Sequence, residues 1–183
     1  MGTPDHPIPT LDQAAHITPR PDSHDVVDAW RQPAEVRTRT VTWDDPRAGA
    51  LHALERSGID HIRAILAAEV PAPPIALLLG FATTEVSEGE VVMETEPGEH
   101  QYNPIGTVHG GVIATLLDSA MGCAVQSTLP AGTGYTTSDL QVRFVRPVLA
   151  DTGRLRCTGR IVHRGRRTAT AEGDLRDAAG KLY

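Results

Sequence analysis

The sequence predicts an α+β fold in which an antiparallel β-sheet wraps around one long central helix. Two observations favour this architecture. The run over residues 109–128 is rich in apolar residues, contains a single carboxylate and is long enough for a single core helix. At least five short segments with strand character flank this run and are separated by turns. Several strands with one long helix are typical of a domain whose sheet packs on that helix.

Length and composition limit the class of protein. The chain has 183 residues, 40% of them hydrophobic, which suits a globular domain with an additional segment. The formal net charge of −6 argues against a nucleic-acid partner, because such proteins need a basic face. The apolar run begins with two glycines and contains Asp118, so we expect a core helix and no membrane association.

The two cysteines, Cys123 and Cys157, belong to no Cys-x-x-Cys pair, so the sequence predicts neither a zinc site nor a disulfide framework. The start of the chain lacks a basic stretch followed by an apolar one, which argues against a secretory signal. We therefore expect a cytoplasmic protein. The eight histidines show no metal-ligand clustering, and we predict no metal site.

The N-terminal part divides into two segments. Residues 1–40 are rich in Pro, Asp, His and Thr without an apolar period, and we predict a flexible extension. Residues 41–74 form a helical pre-domain segment, in which Asp45 before Pro46 starts a helix and Gly58 divides the helical run in two. The main domain is then residues 75–183.

Within the main domain the hydrophobic period changes to that of strands. Leu140, Val142 and Phe144 alternate with polar residues, which predicts a strand over residues 135–145. Two further strands, 81–86 and 91–96, are predicted around a turn at residues 87–90. The central helix is predicted over 109–128, and two last strands, 153–163 and 166–177, are separated by a turn at residues 163–166.

The start of the central helix has the groups that acyl-group hydrolysis requires. Gly110 and Gly111 stand at the helix start, where exposed backbone N–H groups attract negative charge and can stabilise an oxyanion. Asp118 lies two turns further along among apolar residues, and a carboxylate there needs a partner or a catalytic task. From burial alone, a structural and a functional carboxylate are equally good interpretations.

This stretch also carries a family resemblance. Asn103, five intervening residues, His109-Gly110-Gly111 and the acidic Asp118 resemble the signature of the hotdog-fold acyl-CoA thioesterases. The branch that uses Asp rather than Glu is the phenylacetate-pathway (PaaI-like) family, and residues 135–147 provide a second match. The resemblance covers residues 75–183 and implies a hotdog fold and a cofactor-free hydrolase that converts a CoA thioester to a carboxylate and free CoA.

The resemblance also implies roles for individual residues. Asp118 either attacks the thioester carbonyl or activates the water that does so. The Gly110 N–H points at the thioester oxygen, and Gly111 belongs to the substrate-binding turn. Glycine also permits tight turns and close packing, which is the structural alternative for both positions.

Three further positions match the family. Asn103 corresponds to the residue that holds substrate or water, although ordinary turn chemistry explains an Asn-Pro pair equally well. His109 corresponds to the histidine that orients the loop or the thioester. Thr137 corresponds to the hydroxyl residue that orients water or carboxylate, with Thr136 as the alternative because the preceding loop has one extra residue. Each threonine also has the plain interpretation of a β-branched strand residue.

A local excess of arginine stands out in this acidic chain. These side chains would match the phosphates of a CoA thioester, or they are solvated charges that protect sheet edges. The sequence does not assign any single one of them: Arg143, Arg146, Arg164, Arg166 and Arg167.

The helical rise predicts a site shared between subunits. Gly110 and Asp118 are eight residues apart, or about 12 Å along a helix axis. One helix therefore cannot present both groups to the same carbonyl, whereas two helices related by a dyad can. The resemblance implies the same arrangement, and we expect a homodimer that assembles into a homotetramer. The alternatives are a non-catalytic acyl-CoA-binding or regulatory protein and a CoA-thioester hydratase or dehydratase.

Overall fold

The structure is a computed structural model that describes residues 35–183, so the predicted flexible extension over residues 1–40 lies outside the described residues except at positions 35–40. Residues 41–183 form one compact unit. Its helices and strands follow along the chain in this order: α1 (Pro46–Glu55), α2 (Gly58–Leu66), α3 (Pro74–Leu79), β1 (Phe81–Ser87), β2 (Glu90–Thr95), α4 (Gly110–Gln126), β3 (Leu155–Arg164) and β4 (Ala169–Asp177).

Within residues 35–183 the sheet has four antiparallel strands in the order β1-β2-β3-β4. All four correspond to strands that the alternation of apolar residues predicts, and the long helix is the predicted one. The β1–β2 hairpin turns at Gly89, whose φ of 81° is a conformation that favours glycine. Fold class and central helix are thus confirmed.

Helix α4 packs across the sheet and forms the core. Ile113, Leu116, Leu117 and Ala120 face buried side chains of β2, β3 and β4, among them Val91, Met93, Leu155, Cys157 and Leu175. The closest approach is at Gly159 of β3, where a Cβ atom would lie 2.4 Å from the Ala120 backbone. Only glycine lets the helix come this near to the strand. Helix α4 is consequently fixed on the sheet over its central turns.

The predicted strand over residues 135–145 is wrong, so the sheet in the described part of the chain has four strands and not the expected five or more. Residues 135–145 have no ladder pairing with the described strands. The segment instead runs antiparallel to α4, with Tyr135 against Gly122 and the Phe144 ring against Gly110. Leu140 and Phe144 stay 37% and 53% exposed. Apolar alternation predicts an extended segment with one apolar side, but it does not specify the strand with which that segment pairs.

Among the described residues, three short helices precede the sheet. In α1, Pro46 occupies the first turn and the Asp45 side chain caps the helix by accepting a hydrogen bond from the Arg47 N–H at 3.0 Å. Helix α2 begins at Gly58, with Ser57 as its N-cap. Among the described residues, none of the helices has the length and apolar character needed to cross a membrane.

Candidate active site

The start of α4 is organised by His109. The His109 Nδ1 accepts a hydrogen bond from the Gly111 N–H at 2.9 Å, so the imidazole acts as the N-cap of the helix. The backbone N–H of His109 donates to the carbonyl of the buried Gln101 at 2.8 Å. The Gly111 donor is therefore already satisfied, and His109 shapes the helix start.

The Gly110 N–H has no hydrogen-bond partner within residues 35–183. Gly110 is half-buried, and a Cβ atom at this position would lie 3.1 Å from the Phe144 ring. An unpaired N–H at a helix N-terminus carries part of the positive end of the helix dipole. Gly110 thus presents the free donor of the helix start.

Asn103 organises the turn before the helix. Its Oδ1 accepts hydrogen bonds from the Ile105 and Thr107 N–H groups at 3.0 and 3.2 Å, and its Nδ2 donates to the Thr107 hydroxyl at 2.9 Å. These bonds are the turn chemistry that is one of the two sequence interpretations of this residue. They leave one N–H of the Asn103 amide for any other partner.

Asp118 and Thr137 lie together. The Thr137 hydroxyl donates a hydrogen bond to Asp118 Oδ1 at 2.7 Å across 19 positions of sequence. Asp118 is half-buried on α4, and Thr137 is exposed on the irregular segment after it. Of the two threonines that the sequence leaves open, Thr137 is the one that contacts the carboxylate. The bond fixes one carboxylate oxygen and leaves the other available.

Tyr135 is a neighbour of this pair that the sequence reasoning missed. Its hydroxyl stands against Gly122, where a Cβ atom would lie 2.1 Å from the oxygen. Burial, reinforced by the charges of Cys123 and Asp118, raises the pKa of the Tyr135 phenol. Burial and the nearby Asp118 likewise raise the pKa of the Cys123 thiol to about 11. The sequence does hold an indication of this position: in an extended chain residues 135 and 137 point to the same side, so Tyr135 is expected on the side of Thr137.

Asp118 opens onto a cavity of about 580 Å³. One wall comes from α4, another from residues 133–140, and the third from the β3–β4 turn with residues 164–169 and Ala171. This volume falls in the range of small-molecule sites. Asn103, His109 and Gly110 are not part of its lining.

Arginines form the rim of this cavity. Arg164, Arg166 and Arg167 line it, and none of them forms an ion pair with a carboxylate of the described chain. In contrast, the arginines on the open face of the sheet pair across strands, as Arg156 does with Glu85 and Arg160 with Glu90. Arg146 donates to the Leu182 carbonyl at 2.6 Å, away from the cavity. The rim is therefore a cationic feature with capacity for an anion.

The structure thus groups the predicted residues into two sets. Asp118 and Thr137 line the cavity, whereas Asn103, His109, Gly110 and Gly111 cluster at the start of α4. Because eight residues of one continuous helix separate Gly110 from Asp118, the sets stand about 12 Å apart along the axis. Across residues 35–183 no cluster of three or more His, Cys, Asp or Glu residues has a geometry that could hold a metal ion.

Comparison with known proteins identifies related chains. The family described as "Thioesterase superfamily" matches residues 105–183. Human acyl-coenzyme A thioesterase 13 is 30% identical over 123 residues, which is 66% of this chain and 86% of that protein. An esterase of Halobacterium salinarum is 34% identical over 97 residues, which covers 50% of this chain and only 64% of that protein.

A solved structure supports the same relationship. It is the crystal structure of a phenylacetic acid degradation-related thioesterase from Ralstonia eutropha JMP134. This chain superimposes on it with a TM-score of 0.60 and 32% sequence identity, over 66% of this chain and 91% of the other. The similarity extends over nearly the whole of that domain.

Proposed function

The chain belongs to the thioesterase superfamily, and on that basis we propose that it hydrolyses an acyl-CoA thioester to a free acid and CoA. The observation that carries the proposal is the Asp118 carboxylate, held by Thr137 at 2.7 Å and facing a cavity of about 580 Å³. A relative of known class, acyl-coenzyme A thioesterase 13, supports the choice of CoA as the carrier.

Asp118 supplies the attacking group in one of two ways. As a general base it removes a proton from water, and the water oxygen bonds to the carbonyl carbon. The C–S bond then breaks, and the CoA thiolate leaves and is protonated. As a nucleophile its oxygen forms a mixed anhydride with the acyl group, which water then hydrolyses. Either way, the hydrogen bond from Thr137 orients the carboxylate.

The Gly110 N–H stabilises the oxyanion that develops on the thioester oxygen. Its lack of a partner within residues 35–183 and its place at the positive end of α4 support this role. The spacing of about 12 Å from Asp118 makes the partner subunit the source of this donor. Each site of the proposed dimer combines Asp118 of one chain with Gly110 of the other.

The cationic rim supports a phosphate-bearing substrate. Arg164, Arg166 and Arg167 have no carboxylate partners among the described residues and stand at the mouth of the Asp118 cavity. Arginine binds phosphate oxygens with geometry as well as charge. We propose that this rim attracts the nucleotide end of CoA while the thioester reaches Asp118.

The test is an Asp118→Ala variant assayed by thiol release over a panel of acyl-CoA substrates. We expect a folded oligomer that still binds acyl-CoA, with hydrolysis lower by orders of magnitude. Asp139→Ala is the matched control, because Asp139 lines the same cavity without a hydrogen bond to Thr137. Unchanged turnover in Asp118→Ala would refute the mechanism. If the wild type binds but releases no thiol from any member, the chain is a non-catalytic acyl-CoA binder.

A further inference from the structure

Helices α1 and α2 hold the loop that follows the central helix. The Gly58 N–H at the start of α2 donates a hydrogen bond to the Leu129 carbonyl at 3.0 Å. The Gly132 N–H donates to the Leu54 carbonyl, near the end of α1, at 2.9 Å. The loop is therefore fastened at two points by elements that the proposed mechanism does not use.

The docking of α2 requires a glycine at its first position. A Cβ atom on Gly58 would lie 1.7 Å from the Gln126 carbonyl oxygen at the end of α4. This distance is far below any real contact and the obstacle is backbone, so a side chain at Gly58 must displace α2. Ile62, one turn further, is 2% exposed in the core and anchors the same helix. The end of α4 and the start of α2 are thus in direct backbone contact.

The fastened loop leads directly to the carboxylate partner. Thr137 is five residues beyond Gly132 and is itself exposed, so burial contributes little to its placement. Tyr135 packs on Gly122, and Thr137 donates to Asp118. The anchors at Leu129 and Gly132 therefore fix the start of the segment that makes these two contacts.

We propose that α1 and α2 act as a positioning element that sets the hydrogen bond between Thr137 and Asp118. Gly58 is the positioning residue, and it acts through the loop without touching the substrate. This inference rests on the proposed thioesterase function for its kinetic consequence, but its structural consequence is independent of any activity. It assigns a role to helices that lie outside the sheet and the central helix.

The experiment compares Gly58→Ala with Gly49→Ala in the full chain. Gly49 is the matched control, because on α1 the same added methyl group would lie 3.9 Å from Val70 Cγ1, an ordinary contact. Hydrogen exchange of the Gly132 and Thr133 N–H groups, which are both hydrogen-bonded, and the kinetic constants for an acyl-CoA substrate are measured for each variant. We expect faster exchange of these two N–H groups and a roughly 10- to 100-fold lower kcat in Gly58→Ala alone, with KM little changed.

A double-mutant cycle separates positioning from general damage. If α2 acts through Thr137, Gly58→Ala costs little further kcat in a Thr137→Val background, because the bond that it disturbs is already absent. Full additivity of the two changes, or unchanged exchange of the Gly132 and Thr133 N–H groups, would overturn the inference. Should Gly58→Ala fail to fold, Ile62→Val weakens the same docking by one buried methyl group and is measured identically. If Gly58→Ala exchanges faster but the wild type releases no thiol, the proposed function is refuted, whereas the structural link between α2 and the Thr137 segment is kept.

Discussion

The N–H of Gly110 is a donor that one substitution can remove without ending the helix. Proline is favoured at the first helical position, where its missing N–H breaks no intrahelical bond. His109, the preceding residue, has ψ of 132°, which is compatible with a following proline. This position therefore allows the proposed oxyanion donor to be tested almost in isolation.

We predict that Gly110→Pro lowers kcat about 10²- to 10³-fold, the usual effect of losing one oxyanion donor. Gly110→Ala is the control, since its Cβ makes the same close contact with the Phe144 ring while the N–H is kept. The two variants are compared by steady-state thiol release, with circular dichroism to verify the helix. An equal loss in both would assign the effect to packing on Phe144 and contradict the oxyanion role.

At the residue scale, the sequence predicts the contact between Asp118 and Thr137, because both residue type and spacing mark these positions. Asp118 stood out as the one carboxylate in an apolar helix, and its hydrogen bond with Thr137 is present in the structure, whereas its catalytic role stays a prediction. Asn103 had two interpretations, and its three side-chain hydrogen bonds within the turn account for one of them. Tyr135 was missed because its contact with Gly122 depends on how the segment folds back along α4.

At the scale of elements, local periodicity predicted the helix and the four paired strands. In each of these elements one face is buried in the core, and the spacing of apolar residues within the segment shows which face that is. The segment over residues 135–145 has the same alternation but no partner among the described strands. Pairing is a long-range property, so a strand-like sequence did not predict the observed course along α4.

The contact between α1 and α2 predicts a pH-dependent stability. His52 Nδ1 and His61 Nδ1 are 3.0 Å apart, so one nitrogen must donate and the other accept, which two protonated rings cannot do. Burial, and next the charge of His52, lower the pKa of His61 below its usual 6.5. Asp44 and Asp45 line the same small cavity as His61, and Asp45 is paired with Arg47. Neither carboxylate is a cause of the lowered pKa of His61.

The direction of the pH dependence of stability follows from the lowered pKa of His61. The unfolded chain binds this proton at about pH 6.5 and the folded chain only at lower pH, so the stabilisation is complete above pH 6.5 and decreases as the pH falls below it. We predict that Tm drops by a few degrees more between pH 7 and pH 5 in the wild type than in His61→Gln. His163→Gln, which removes an exposed imidazole on β3, is the control. Identical pH profiles for the wild type and His61→Gln would contradict the prediction.

For the whole molecule, the arrangement on α4 favours a shared site. Gly110 and Asp118 belong to one rigid helix, and no rotation of side chains brings the two groups to one carbonyl. The segment beside α4 also leaves Tyr135, Phe144 and Val145 44%, 53% and 45% exposed, which is apolar surface that a second copy can cover. Both features support the proposed dimer.

Mixing two inactive variants tests the dimer as a catalytic unit. We predict that Asp118→Ala and Gly110→Pro, co-expressed in equal amounts, recover about a quarter of wild-type turnover, because half of the dimers are mixed and each mixed dimer has one intact site. The control mixes the wild type with a chain that carries both substitutions, where only wild-type dimers remain active and again about a quarter is expected. If each chain contained a complete site, the first mixture would stay inactive and the second would keep half of the activity. The two mixtures therefore distinguish a shared site from a self-contained one whatever the acyl group of the substrate.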